Sequence, residues 1–276
     1  MDPKAHSQAS ERAEVVRDSL RSCALCPRRC GVDRLAGQVG YCGVDATVRW
    51  FREMVYDGEE TPLNPSHQVY FAGCNLRCAF CSVEEWNLQT DAARPMDPIE
   101  MATVIARRRR QGARTLNLLG GEPAVSVHGI LDLLAAVDVG TTVVWNSNMY
   151  YSDTVAGILE GLADIYLADL KCGNPVCAER LLGASDYLEV VRANILRARR
   201  VGDVIVRHLI LPSHLDCCLR PTLDWIASEA PGAKVSLRGD YVPPAEGDAA
   251  PLTYLDPADR DRAMRMAGDL GLHVIQ

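Results

Sequence analysis

Short apolar runs alternate with amphipathic segments from residue 67 to the end of the chain. The apolar runs are typical of strands buried on both faces, and the amphipathic segments are typical of covering helices. The pattern predicts strands at 69–72, 115–119, 142–145, 164–168, 204–211 and 234–237, and helices at 98–111, 127–137, 153–161, 175–182, 187–200, 221–230 and 256–270. Six strand–helix units therefore predict an α/β fold with a parallel sheet.

The first 66 residues differ from the rest of the chain. Residues 5–21 are polar and helix-prone, which predicts one surface helix. Four cysteines then follow within 20 residues, and glycines break the backbone between and after them. We therefore divide the chain into an N-terminal Cys-rich segment, residues 1–66, and an α/β domain, residues 67–276.

Charge and composition argue against several partners. The formal net charge of −7 disfavours nucleic acid, and the run Arg107–Arg110 is interpreted as a solvated helix face. No apolar stretch approaches the length of a membrane span, and no secretion signal is visible. Eleven cysteines in such a chain are typical of metal or redox ligands rather than disulfides. We expect a cytoplasmic protein that binds neither nucleic acid nor a membrane.

Three of the cysteines, Cys74, Cys78 and Cys81, follow the first predicted strand with CX3CX2C spacing. A strand that ends in Gly73 and a tight loop would direct three sulfurs toward one place. Thiolates at this density select soft metals, which means zinc or an iron–sulfur cluster. Because a structural zinc site needs four ligands and this loop offers three, we favour a [4Fe–4S] cluster with one open iron.

This spacing, with Phe80 just before the last cysteine, resembles the radical S-adenosylmethionine (SAM) superfamily. The resemblance implies that the three cysteines hold a [4Fe–4S] cluster, that SAM chelates the open iron and that Phe80 lies near the adenine. It implies a partial (β/α)6 TIM-like barrel as the fold. It also implies an external one-electron donor of the flavodoxin or ferredoxin type, and a 5′-deoxyadenosyl radical that abstracts hydrogen from a substrate.

The Cys-rich segment narrows the resemblance. Its Cys-Pro-Arg-Arg-Cys and Gly-Tyr-Cys-Gly stretches are similar to relatives of pyruvate formate-lyase-activating enzyme that carry such a segment. A closed set of four thiols suits an auxiliary [4Fe–4S] cluster or structural zinc, and we favour the cluster because the chain already implies cluster chemistry. The four are Cys23, Cys26, Cys30 and Cys42. Residues 59–65 are also similar to that branch and are interpreted as a polar turn.

Polar residues follow every predicted strand, and the carboxyl ends of parallel strands meet at one edge. The resemblance implies that the Gly-Gly-Glu-Pro turn contacts the SAM amino group and that an Asp-Leu-Lys stretch lies against SAM. An Asn-Ser pair replaces the Asp-Thr of the branch, an Arg-His pair could clamp a carboxylate, and the sixth strand end should contact substrate. In chain order, these candidates are Gly120, Gly121, Glu122, Pro123, Asn146, Ser147, Asp169, Lys171, Arg207, His208, Arg238, Asp240 and Tyr241.

Three functions remain open. We favour a radical SAM enzyme that acts on a small molecule or peptide, because the middle of the sixth strand end departs from the pattern of the branch. The alternative is an activase that acts on a glycine of a glycyl radical enzyme, and the remote alternative is a non-enzymatic iron–sulfur or zinc protein. The leftover thiols are interpreted as buried or incidental rather than as a second auxiliary cluster. They are Cys172, Cys177, Cys217 and Cys218.

Overall fold

The computed structural model describes residues 2–247 and 249–275. Its strands are β1 (Arg49–Tyr56), β2 (Ser66–Phe71), β3 (Arg94–Pro95), β4 (Thr115–Gly120), β5 (Thr142–Ser147), β6 (Ile165–Asp169), β7 (Asp203–Leu209), β8 (Lys234–Arg238) and β9 (His273–Ile275). In this part of the chain they form one sheet in the order β3-β1-β2-β4-β5-β6-β7-β8-β9. All neighbours from β2 onward are parallel, whereas β1 is antiparallel to both β2 and β3.

The helices cover the parallel strands. They are α1 (Pro3–Ser7), α2 (Ala9–Ser19), α3 (Glu84–Leu88), α4 (Pro98–Arg110), α5 (Val127–Ala136), α6 (Asp153–Leu159), α7 (Pro175–Leu182), α8 (Tyr187–Ala198), α9 (Arg220–Glu229) and α10 (Pro257–Asp269). Each of the six predicted strands is followed by at least one helix, and the sheet stays open. The predicted α/β class and partial (β/α)6 barrel are therefore confirmed.

The register of the sheet brings the strand ends together. Phe71 at the end of β2 pairs with Gly120 at the end of β4. Asp169 at the end of β6 pairs with Arg207 near the end of β7. Since the strands are parallel, the loops that follow them leave from one edge of the sheet. This edge collects the polar residues that the sequence places after each strand.

Three strands lie outside the sequence prediction, and one of them is the two-residue strand β3, which pairs with β1. Strand β1 belongs to the Cys-rich segment, yet it pairs with β2 from Tyr56 opposite Ser66 to Trp50 opposite Phe71. The short strand β9 follows α10 and pairs with β8. The predicted boundary between residues 66 and 67 thus falls at the start of β2, and the segment before it contributes a strand to the same sheet.

Helix α2 is more buried than a surface helix. The sequence predicts a polar helix at residues 5–21, but Ala9, Ala13 and Val16 on one face are almost fully buried. This face packs against α5, and Leu20 continues the contact into the main apolar core. The polar residues of α2 occupy the other face. No helix among residues 2–247 and 249–275 is both long and apolar enough to cross a membrane.

Candidate active site

The loop of residues 74–81, which we call the cluster loop, follows β2 at the polar edge of the sheet. Gly73 opens it with a φ of +87°, a backbone conformation that favours glycine. The other end of the loop is held by α7, because Arg77 N donates to Leu182 O at 3.0 Å and Ala79 N donates to Leu181 O at 2.8 Å. The backbone of this loop is therefore fixed by hydrogen bonds that do not use its thiols.

The three thiols of the cluster loop line one cavity. Asn148 Nδ2 lies 3.8 Å from Cys74 Sγ, and Asn87 Nδ2 donates to Cys81 Sγ at 3.4 Å. Burial raises the pKa of Cys78 to about 12 and also raises the pKa of Cys74. Free thiols in this position would keep their protons at neutral pH, so binding of a metal would release protons.

The cavity has a volume of about 450 Å³, within the range of small-molecule sites. Most of the predicted site residues line it. They are Cys74, Cys78, Phe80, Cys81, Gly120, Gly121, Asn146, Asp169, Lys171, Arg207, Arg238, Asp240 and Tyr241. Four of the residues predicted at the strand ends do not contribute to its lining: Glu122, Pro123, Ser147 and His208.

The two glycines after β4 lie directly against the cluster loop. A Cβ on Gly120, whose φ is +130°, would lie 2.2 Å from the carbonyl oxygen of Phe71. A Cβ on Gly121 would lie 2.1 Å from Gly73 O and 2.2 Å from Asn87 Oδ1. No side chain fits in this space. The turn therefore brings its backbone next to the three cysteines.

Glu122 supports the site from behind. Its Oε1 accepts from Ser147 Oγ at 2.8 Å and from Ala124 N at 3.0 Å, and its Oε2 accepts from Asn148 N at 2.8 Å. The side chain is fully buried, and this burial raises its pKa to about 7. Glu122 and Ser147 thus hold the end of β5 in place. Asn148 links this strand end to the cluster loop, because its Nδ2 donates to Asn75 Oδ1 at 2.9 Å.

Four side chains from three strand ends form a charged floor in the cavity. Arg207 Nε donates to Asp169 Oδ1 at 2.7 Å, and Arg207 Nη2 donates to Asn146 Oδ1 at 2.6 Å. Lys171 Nζ donates to the second carboxylate oxygen of Asp169 at 2.6 Å. Burial alone would raise the pKa of Asp169, but Arg207 and Lys171 hold it at about 2. Asn146 Nδ2 is buried without a partner and remains available to a ligand.

Sequence reasoning missed a fifth side chain at this floor, Glu59. Its side chain is 7% exposed and accepts from Arg207 Nη1 at 3.2 Å and from Asn117 Nδ2 at 3.1 Å. Gln68 also donates to it. Burial raises the pKa of Glu59 to about 7, although Arg207 opposes the shift. The sequence predicts only a polar turn at residues 59–65, and the resemblance of this stretch to the branch is the signal that points to Glu59.

The remaining predictions divide between the wall and the mouth of the cavity. His208 is buried, and its Nδ1 donates to the carbonyl oxygen of Leu170 at 2.6 Å, so it supports the chain between Asp169 and Lys171. At the mouth, Arg238 Nη2 forms an ion pair with Asp240 Oδ2 at 2.8 Å. The hydroxyl of Tyr241 donates to Pro251 O.

The four N-terminal thiols also come together. All four line one small pocket, in which Arg34 Nη1 lies 3.9 Å from Cys23 Sγ and Tyr41 N donates to Cys30 Sγ at 3.4 Å. Arg28 fastens this pocket to the cluster loop, because its Nε donates to Asn75 O at 3.1 Å. We call these thiols the N-terminal cysteine set: Cys23, Cys26, Cys30 and Cys42.

Comparison with known proteins identifies the family. The model of the Radical SAM superfamily matches residues 69–226. A protein of Methanocaldococcus jannaschii named "Uncharacterized protein MJ0674" is 32% identical over 277 residues, which cover 96% of this chain and 79% of the relative. The 7-carboxy-7-deazaguanine synthase of Rhodospirillum rubrum is 38% identical over 82 residues, 29% of this chain and 33% of its own. The chain belongs to the Radical SAM superfamily, and membership implies a [4Fe–4S] cluster and SAM as cofactors, as predicted.

Solved structures share the fold. SuiB of Streptococcus suis bound to S-adenosylmethionine has a TM-score of 0.55 and 16% identity, covering 73% of this chain and 47% of SuiB. A radical SAM methyltransferase of Sphaerobacter thermophilus has a TM-score of 0.56 and 14% identity, covering 83% of this chain and 76% of its own. The chain thus spans about half the length of the SuiB structures that it matches.

The site fits both implied cofactors. The cluster loop offers three thiols at one face of the cavity, which leaves a fourth coordination position to a ligand. The glycine turn leaves space where a side chain would collide, and the unpartnered Asn146 Nδ2 is a donor inside the cavity. The residues present therefore match a cluster with a polar ligand beside it.

Proposed function

We propose that this protein is an enzyme that cleaves SAM reductively and uses the resulting radical to abstract hydrogen from a small-molecule or peptide substrate. The observation that carries the proposal is the single cavity of about 450 Å³ that joins the three thiols of the cluster loop to the charged floor. When bound, the [4Fe–4S] cluster supplies one electron to the sulfonium of SAM, which yields methionine and a 5′-deoxyadenosyl radical. All other tasks fall to the residues of the chain.

Polar groups of the cavity are suited to orient SAM. Lys171 offers positive charge to its carboxylate, while Asp169 holds the lysine in place. The backbone of Gly120 and Gly121 is open to the amino group, and Phe80 offers an aromatic face to the adenine. Arg207 is held by three partners and therefore acts as a fixed charge. The side chains of this floor are at most 22% exposed, and a bound SAM that covered them would keep water away from a reactive radical.

The mouth of the cavity supports a polar substrate. Arg238 and Asp240 offer both signs of charge next to the side chain of Tyr241. A substrate with charged or hydrogen-bonding groups would find partners there, whereas a purely apolar one would leave them unpaired. This composition favours a polar small molecule or peptide. A protein glycine, as for an activase, remains the alternative.

The N-terminal cysteine set favours an auxiliary [4Fe–4S] cluster over zinc. Ligands of a single ion must converge closely, but among residues 2–247 and 249–275 neither this set nor the cluster loop belongs to a group with that spacing. Arg28, two residues after Cys26, donates from its Nε to the carbonyl oxygen of Asn75, the residue after Cys74, at 3.1 Å. The set therefore lies beside the cluster loop, and electrons from an external donor could pass through it.

Release of 5′-deoxyadenosine tests the proposal. Anaerobically reconstituted protein with dithionite and SAM should release it, and Cys78→Ala should reduce release to background because a cluster ligand is lost. The control is Cys30→Ala, which changes an exposed thiol outside the cavity and should retain release with dithionite while losing it with a flavodoxin-type donor. Release from Cys78→Ala at the wild-type rate would refute the assignment.

The same assay separates the two substrate classes. An activase would produce a glycyl radical in a partner protein, detectable by electron paramagnetic resonance, whereas a small-molecule or peptide enzyme would transfer deuterium from a labelled substrate into 5′-deoxyadenosine. A glycyl radical signal with a partner enzyme would replace the favoured substrate class by the alternative.

A further inference from the structure

Outside the cavity, two loops bring three cysteines and one histidine to one place. One thiol comes from the start of α7, and the other ligands come from the turn between β7 and α9. Among the residues that the structure describes, they form the group whose ligand atoms all lie within 4.8 Å of one another. We call it the Cys3His group: Cys177, His214, Cys217 and Cys218. The sequence pattern favours buried or incidental thiols here, whereas the structure brings three of the four leftover thiols together.

The distances within the Cys3His group fit a single metal ion. Cys177 Sγ lies 3.6 Å from His214 Nδ1 and 3.9 Å from Cys217 Sγ, and Cys217 Sγ lies 3.3 Å from His214 Nδ1. Ligands about 2.0–2.3 Å from a tetrahedral ion lie roughly 3.5–3.8 Å apart. The observed spacings fall around that value. They are too long for a disulfide, whose sulfurs lie about 2 Å apart.

A wide helical turn presents three of the four ligands. Residues Leu215–Leu219 form a π-helix, in which the amides of Cys218 and Leu219 both donate to His214 O, at 2.9 and 3.1 Å. Residues three and four apart share one face of such a turn, so the spacing His-X-X-Cys-Cys directs all three ligands to one side. Single π-turns occur frequently at functional sites.

Asn174 holds the fourth ligand against this turn. Its Oδ1 accepts from Cys177 N at 2.8 Å, and its Nδ2 donates to Cys177 Sγ at 3.2 Å and lies 3.9 Å from Cys218 Sγ. The same amide nitrogen donates to the carbonyl oxygen of Cys217. Outer partners of this kind orient the ligands of protein metal sites.

Close backbone contact fixes the second loop. A Cβ on Gly173 would lie 2.0 Å from the carbonyl oxygen of Cys218. Only glycine permits this approach. The loop before α7 and the turn before α9 therefore meet without a side chain between them, which places Cys177 opposite the other ligands.

We propose that the Cys3His group binds one structural Zn²⁺ ion. Three thiolates and one imidazole are a common ligand set for structural zinc, and four protein ligands leave no position open for a substrate. A [4Fe–4S] cluster would need its thiolates farther apart, because each binds a different iron. Cys217 is exposed, which gives the ion an entry path from solvent.

The position of the group indicates what the ion does. Helix α7 begins at the Cys3His group and ends at Leu181 and Leu182, whose carbonyl oxygens hold the backbone of the cluster loop. A metal ion at the start of α7 would therefore fix the helix that supports the cluster loop. It would also restrain the chain that follows Lys171.

Zinc content and zinc absorption spectroscopy test the proposal. Full-length protein from zinc-supplemented cells should hold about one zinc per chain, and its extended X-ray absorption spectrum should show three sulfurs and one nitrogen at about 2.3 and 2.0 Å. Zinc should persist in Cys78→Ala and be lost in Cys217→Ser. The matched control is Cys172→Ser, since Cys172 is a fully buried thiol that does not belong to the group and its substitution should retain zinc.

Three results would overturn the proposal. One is full zinc content in Cys217→Ser. Another is a spectrum with four sulfur ligands, which would assign zinc to the N-terminal cysteine set. The last is wild-type protein that binds no Zn²⁺ on addition. The spectrum needs no variant, so the test holds even where a substitution prevents folding.

Discussion

Arg207 joins the charged side chains of the cavity into one unit. Its guanidinium donates to Asp169 on β6, to Asn146 on β5 and to Glu59, which precedes β2. A planar group with several fixed donors suits such divided contacts better than a lysine does. The charge pattern of the floor is consequently set by residues that are far apart in the chain.

Glu59 makes stability depend on pH. Its pKa of about 7 in the folded protein lies above the ordinary 4.5, so the folded state binds the proton more tightly than the unfolded state. The stabilisation is present below the ordinary pKa and is lost as pH rises toward 7. In the wild type, Glu59 should lower the free energy of unfolding by up to about 3 kcal/mol between about pH 5 and pH 8, and Glu59→Gln should abolish this decrease. The measurement is unfolding in urea under anaerobic conditions at each pH.

Glu179→Gln is the matched control, because Glu179 is exposed on α7. This variant should retain the pH dependence of the wild type. Glu122 also has a raised pKa and stays in both variants, so it cannot account for a difference between them. Identical slopes for Glu59→Gln and wild type would show that Glu59 does not hold its proton in this range.

At the scale of elements, the regular part of the fold could be predicted because its signal is local. Strands buried on both faces read as continuous apolar runs, and each of the six was found within a few residues of its bounds. Strand β1 carries Arg49, Arg52 and Glu53 among its apolar residues, and much of it is only half buried. An antiparallel strand near the sheet edge shows no such run, so it was missed.

The candidate site also divides into residues with a local sequence signal, which could be predicted, and residues joined by distant contacts, which could not. The cluster loop has its three thiols within eight residues, and that local spacing, with the resemblance it carries, predicts them as the cluster ligands. Glu59 contacts Arg207, which follows 148 residues later in the chain, and Cys177 contacts His214, which follows 37 residues later. Such contacts depend on strand order and loop path, which the sequence pattern does not contain. The short spacing from His214 to Cys218 was a local signal that could have been used.

The turn after β4 provides a test at this scale. In Gly121→Ala the new methyl would lie 2.1 Å from Gly73 O and 2.2 Å from Asn87 Oδ1, so the turn or the cluster loop must move. We expect a loss of at least about 2 kcal/mol in the free energy of unfolding and a reduced iron content at the cluster loop. Gly268→Ala is the control, because a methyl there meets nothing within 4 Å.

For the whole molecule, the N-terminal segment and the barrel share one core. Residues Leu20 and Leu25 belong to the same buried cluster as Leu118 of β4 and Val206 of β7. At the polar edge, Arg28 donates to Asn75 O and Gly183 O. Continuous packing of this kind predicts one cooperative unfolding transition. A domain boundary at residue 66 would instead predict two separate unfolding transitions.

Helix α2 distinguishes these outcomes. Ala13 is fully buried against the core, whereas Val15 on the opposite face is 62% exposed. Ala13→Glu would bury a charge without a partner and should lower the free energy of the single global transition by about 3 kcal/mol or more. Val15→Glu adds the same charge in solvent and should change it by less than about 0.5 kcal/mol. If Ala13→Glu instead produced an early separate transition and left the main one unchanged, residues 1–66 would be an independent domain.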